Sequence, residues 1–175
     1  MASFSSLFAL CAVASALLGG ALANPVARAT CSPNFEGAGI SVLGANGFVT
    51  PDGRGHGSPA PFWHIQQTGQ PVAGYIFRDI ANDNQVLTRN PDNSLTMGAA
   101  SNNGNDVRQI FNIECQTCAS GAAAAPPRTP IATDCQVKMA SDTSLCLQVG
   151  RPPSDDLNLI ACGTTPGSEL YQFST

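Results

Sequence analysis

An all-β chain of three four-strand units closed on one another, a β-trefoil, is the fold the sequence predicts, and three observations predict it. One short ending is written three times: Pro61-Phe62-Trp63-His64-Ile65, Gln109-Ile110-Phe111-Asn112-Ile113 and Glu169-Leu170-Tyr171-Gln172-Phe173. Its aromatic residues stand 48 (63 to 111) and 60 (111 to 171) residues apart, the longer gap holding an Ala/Pro-rich insert, so a threefold internal repeat is the simplest reading. Between the endings, short β-prone runs alternate with turn residues. Beyond the N-terminal apolar stretch, no window longer than about ten residues keeps helical periodicity. A lone four-strand unit cannot bury its apolar face, so the three must share one core to which each gives its closing aromatic.

Residues 1–23 carry no Lys, Arg, Asp or Glu, run apolar from Leu7 to Leu18, and end in Ala21-Leu22-Ala23. That is the pattern of a secretory signal peptide, with Asn24 as the mature start and an extracellular destination. A membrane anchor would need about 20 uninterrupted apolar residues, and Gly19-Gly20 interrupts this one. Residues 24–36 read as an extended segment tied down by Cys31, and residues 37–175 as the single β domain, with units at about 37–66, 74–115 and 134–175.

In the first unit, Ile40-Ser41-Val42-Leu43 precedes Ala45-Asn46-Gly47, and Phe48-Val49-Thr50 precedes Pro51-Asp52-Gly53, turn signals that supply positive or preset φ. The second unit runs from Gly74-Tyr75-Ile76-Phe77 through Gln85-Val86-Leu87-Thr88 and Ser94-Leu95-Thr96-Met97 to its ending, separated by Asn/Asp/Pro clusters. Residues 119–133 read as a surface loop, because four alanines cannot nucleate a helix and Pro126, Pro127 and Pro130 stop one. The third unit follows with Cys135-Gln136-Val137-Lys138-Met139, Leu145-Cys146-Leu147-Gln148-Val149, Leu157-Asn158-Leu159-Ile160-Ala161-Cys162 and its ending.

Cys11 would leave with the signal, so the mature chain keeps Cys31, Cys115, Cys118, Cys135, Cys146 and Cys162. An even set in an oxidising compartment predicts three disulfides, whose pairing spacing alone leaves open. Cys115-x-x-Cys118 lacks the second ligand pair of a zinc site and the βαβ context of a redox site. No metal and no cofactor is expected.

The net charge is −4, and the single lysine, Lys138, and the scattered arginines form no cationic cluster. Neither nucleic acid nor an anionic membrane is therefore an expected partner. Asp155-Asp156 reads as a solvated turn, and His56 as a loop histidine with no Ser/His/Asp or His-Glu-x-x-His arrangement around it. Trp63 reads as core because it occupies the repeated ending. No pair of carboxylates at glycosidase spacing is nominated, and no catalytic residue is expected.

The third unit is similar to one subdomain of the ricin B-type lectins, through Cys146-Leu147-Gln148-Val149-Gly150, Leu157-Asn158-Leu159-Ile160-Ala161-Cys162 and Glu169-Leu170-Tyr171. The family's own pattern has Cys-hydrophobic-Asp-Val, Gln-Leu-Trp-x-Cys and a Gln-x-Trp triplet. The resemblance implies a β-trefoil binding galactose-like sugars in shallow pockets, and a disulfide between Cys146 and Cys162. It places the pocket's carboxylate position at Gln148, its amide at Asn158 and its stacking residue at Ile160, with Thr88 matching the acid position in the second unit. Two of the three differ in type. A charged acceptor's hydrogen bonds are worth about 1.5–3 kcal/mol against about 1 for neutral ones, and a stacking face adds roughly another 1, so an inherited site is expected to be weak.

The reading that results is a secreted, non-catalytic binding protein with carbohydrate as its leading ligand. The alternative is a β-trefoil protease inhibitor or defence protein that grips an extracellular protein through residues 53–61 and the Ala/Pro-rich loop.

Overall fold

A computed structural model describes residues 30–51, 61–68, 74–119, 121–150, 156–165 and 167–175. The signal segment 1–23, residues 24–29, most of the 53–61 loop with His56, and Asp155 lie outside the described residues. The described chain is all β, as the turn-punctuated sequence requires, and no helix in it is long and apolar enough to cross a membrane. Its strands are β1 (Ser41–Gly44), β2 (Gly47–Phe48), β3 (Trp63–Thr68), β4 (Gly74–Asp79), β5 (Asn82–Arg89), β6 (Ser94–Ala99), β7 (Phe111–Glu114), β8 (Thr117–Cys118), β9 (Pro130–Met139), β10 (Asp142–Val149), β11 (Leu157–Ala161) and β12 (Tyr171–Ser174). Seven of them close into a ring of hydrogen-bonded neighbours, β10-β11-β6-β5-β4-β7-β9 and back to β10, with the others attached to it. Closure leaves no free edge within the ring itself.

The three repeated endings have one register. Trp63 pairs with Ile40 and Asp79, Phe111 with Tyr75 and Met139, and Tyr171 with Cys135 and Gly44. Two residues further on, Ile65 faces Phe77, Ile113 faces Val137 and Phe173 faces Val42, and all six are buried. Each two-residue turn that follows is closed in the same way, by Gly44 with Gly47, Asp79 with Asn82 and Met139 with Asp142. Alternation fixes this register: β7 and β12 read buried, half-buried, buried, half-buried, so a slip of one residue would turn every core side chain to solvent. Each buried Ile or Phe contributes about 1.5–3 kcal/mol relative to exposure.

The aromatics with a polar handle satisfy it on the backbone. Trp63 Nε1 donates to the Val49 carbonyl at 2.9 Å, Tyr171 Oη to that of Leu147 at 3.1 Å, and Tyr75 Oη to that of Pro33 at 2.8 Å. Trp63 is therefore core, and its indole is no sugar platform. Burial pushes both tyrosine hydroxyls above their ordinary ionisation range.

The six cysteines pair as Cys31–Cys118, Cys115–Cys135 and Cys146–Cys162, the last as the lectin resemblance implies. Such a set is typical of extracellular proteins. Two regions differ from expectation. Residues 30–36 are built into the body: Cys31 and Cys115 exchange backbone hydrogen bonds, and the buried Phe35 ring lies 4.9 Å from Phe173 and 5.7 Å from Tyr75. The Ala/Pro-rich segment is loop only in its middle, since Thr117 and Cys118 pair with Thr133 and Ala132, and β9 begins at Pro130. A proline is tolerated there because the first residue of a strand can lack an N–H.

Candidate functional site

The hairpin β10–β11 carries the residues that the lectin resemblance selects. Leu147, Val149, Leu157 and Leu159 point into the core, so their neighbours face outward by the period of the strand. Gln148 stands directly opposite Asn158, and Ile160 opposite Cys146. Gln148, Asn158 and Ile160 thus share one half-buried outer face.

What holds Gln148 is a network that sequence reasoning missed. Its Nε2 donates to Thr165 Oγ1 at 2.7 Å and to Ser168 Oγ at 3.2 Å. Both hydroxyls spend their own protons elsewhere, Thr165 on Glu169 Oε1 at 3.3 Å and Ser168 on the Thr165 carbonyl at 2.9 Å. They therefore need a donor from Gln148, which fixes the orientation of the amide. With both N–H groups given away, the remaining polar atom is the carbonyl oxygen, an acceptor like one oxygen of the carboxylate that the family places here. Glu169 organises the loop beneath: buried, it accepts from Gly163 N at 2.8 Å and Thr165 N at 3.0 Å. Burying a carboxylate is tolerable only with such partners. The signal for it was the residue that opens the ending, Gln109 in one unit and Glu169 in the next.

The second hairpin is built alike but closed. Thr88 faces Thr96, and Val86 faces Gly98. The buried Thr88 hydroxyl donates to the Val86 carbonyl at 3.0 Å and accepts from Gln109 Nε2 at 3.2 Å. Gln109 also donates to the Ala99 carbonyl at 2.8 Å and accepts from Ser101 N at 3.1 Å. Covered by Gln109 and occupied on both sides, Thr88 offers nothing to a ligand. In the first unit the corresponding residue is Pro61, which has no polar side chain to tie a loop.

A third feature, a polar cleft of about 430 Å³, lies beside β3 and β4. His64 Nδ1 meets Asp83 Oδ1 at 3.1 Å, while Arg78 donates to Gln66 Oε1 at 2.8 Å and to the Asp83 carbonyl at 2.7 Å, with Glu36 at the rim. The His64–Asp83 pair is more than half exposed on both sides, so its attraction is worth about 0–1 kcal/mol.

No protein-family model and no curated protein matches the chain. Among solved structures it is similar to a mosquitocidal holotoxin, with a TM-score of 0.56 and 13% identity over 80% of this chain. The match spans 17% of the toxin chain, and at that identity the likeness is one of fold.

Proposed function

We propose that the chain is a secreted, non-catalytic β-trefoil that binds carbohydrate weakly through the outer face of its third hairpin. The observation that carries this reading is the facing pair of Gln148 and Asn158, the first held by Thr165 and Ser168 so that its carbonyl oxygen serves as an acceptor for sugar hydroxyls. The register repeated at Trp63, Phe111 and Tyr171 supports the trefoil, and the resemblance of the third unit to ricin B-type lectins supports the ligand class. Export is supported by the apolar leader and the three disulfides.

One preformed face, with a neutral acceptor and no aromatic at Ile160, makes the site weak, in the range of about 1 mM for a monosaccharide. A glycan array on the oxidised, secreted protein, with simple sugars as competitors, tests the reading. Competable binding that disappears in Asn158→Ala and Gln148→Ala supports it. Silence from a folded sample sinks it and returns attention to protein partners.

A further inference from the structure

A second concavity lies at strands β1, β2 and β12 and is built from different chemistry. Gln172 on β12 pairs with Leu43 on β1, which pairs with Phe48 on β2, so these three side chains form one row across the sheet. With Phe62, Ser41 and Arg128 they line a groove of about 440 Å³. Leu43 and Phe62 are 37% and 40% exposed, among the few large apolar side chains that the fold leaves open.

Arg128 is the unusual member. The Thr129 N–H donates to the Pro126 carbonyl at 3.2 Å, closing a β-turn with Pro127 and Arg128 at its centre. Arg128 has φ +64°, and a proline followed by a positive φ is the signature of a type II turn, whose second central position belongs to Gly or Asn. The strained turn is stapled in place: Arg128 N donates to the Thr175 carbonyl, Thr175 N to that of Thr129 at 3.1 Å, and Thr175 Oγ1 to that of Pro126 at 2.6 Å. Among the described residues, none of the ion pairs engages the Arg128 guanidinium. An exposed guanidinium carried on a left-handed turn, with no ion-pair partner among the described residues, is the charge this groove offers a ligand.

We propose that this groove is a binding site for a sugar ring bearing a carboxylate. The guanidinium takes the carboxylate through two parallel hydrogen bonds, the Phe48 and Phe62 rings cover the apolar side of the ring, and the Gln172 amide, whose Nε2 also donates to Ser174 Oγ at 3.2 Å, offers its carbonyl oxygen to ring hydroxyls. The chain's net charge of −4 gives it no general attraction for anions, so retention of one reports this local site.

Calorimetric titration of the oxidised protein with trigalacturonic acid, neutral trigalactose and benzoate tests the assignment. The acidic trimer is expected to bind at least about tenfold more tightly than the neutral one. Arg128→Gly, which removes the guanidinium and relieves the turn, should weaken that binding at least about tenfold while the Tm holds or rises. Arg128→Lys falls between the two, because it keeps charge and loses the fork. Phe62→Ala weakens binding about fivefold when measured in a Gln148→Ala background, which silences the third hairpin. Equal binding of both trimers, undiminished binding by Arg128→Gly, binding of benzoate but not the uronate, or no heat up to about 10 mM ligand would each overturn the proposal.

Discussion

Gly44 lies directly opposite Tyr171, and a Cβ added to it would come within 2.8 Å of the tyrosine ring. The equivalent partners of Trp63 and Phe111 are Asp79 and Met139, so the glycine is particular to the third ending. Tyr171 is buried and tied by its hydroxyl to Leu147, so the ring cannot swing away. Gly44→Ala should cost about 1–3 kcal/mol through overpacking, read as a lower urea midpoint at unchanged m-value. An unchanged midpoint would mean that the strand gives way instead.

The buried carboxylate of Glu169 supports the next prediction. Glu169→Ala leaves the N–H groups of Gly163 and Thr165 without their acceptor and is expected to cost about 2–4 kcal/mol. Glu169→Gln, which writes the residue found at Gln109, keeps one acceptor oxygen where two now serve Gly163 and Thr165, and should cost about 1–2 kcal/mol. Chemical denaturation distinguishes them. Equal losses would show that the charge, rather than the acceptor geometry, holds the loop.

The legible parts of the fold were those written in local chemistry. The endings at Trp63, Phe111 and Tyr171 marked the shared register, and the hairpins β5–β6 and β10–β11 fall where Asn90-Pro91-Asp92-Asn93 and Gly150 signalled turns. At β1–β2 the signal was one residue off, because Gly47 is a paired residue and Ala45-Asn46 makes the turn. What escaped was set by contacts between distant residues: the insertion of Phe35 beside Phe173, the pairing of β8 with β9, and the partners of Cys31 and Cys115. Gln148, Asn158 and Ile160 could be placed on one face from the resemblance, but Thr165 and Ser168 could not be tied to Gln148, since hydroxyls in a loop carry no periodicity.

The disulfides should rank by the loops they close. Cys31–Cys118 joins residues 87 apart and Cys146–Cys162 residues 16 apart. Loop entropy alone makes the first worth about 1.5 kcal/mol more than the second. Paired Cys→Ser variants compared by thermal unfolding check this, and the reverse order would locate the difference in the packing of residues 30–36.

Alkaline pH should destabilise the fold through its tyrosines. Tyr75 and Tyr171 are the chain's two tyrosines, and burial raises the ionisation of both. Their contribution is complete below the unfolded value of about 10 and is lost as pH climbs from there toward the folded values, since the unfolded chain releases those protons first. Tyrosinate absorbance should therefore appear together with loss of structure, and Tyr171→Phe should flatten the fall in stability above about pH 10. Tyrosinate forming in a folded sample would contradict the buried placement.

The third hairpin can be tested by adding what it lacks. Ile160 occupies the position that the lectin resemblance assigns to stacking, half-buried on the face of Gln148 and Asn158, and it presents no flat surface to a sugar ring. Ile160→Trp supplies one without touching the donors that Gln148 gives to Thr165 and Ser168. The gain should be about 0.5–1.5 kcal/mol, or roughly two- to twelvefold in affinity for a galactose-type sugar. Gln148→Ala in the same background should cancel the gain, because a stacked ring with no acceptor beneath its hydroxyls has no fixed orientation. A tryptophan that improves binding equally with and without Gln148 would show stacking alone at work and remove the amide pair from the site.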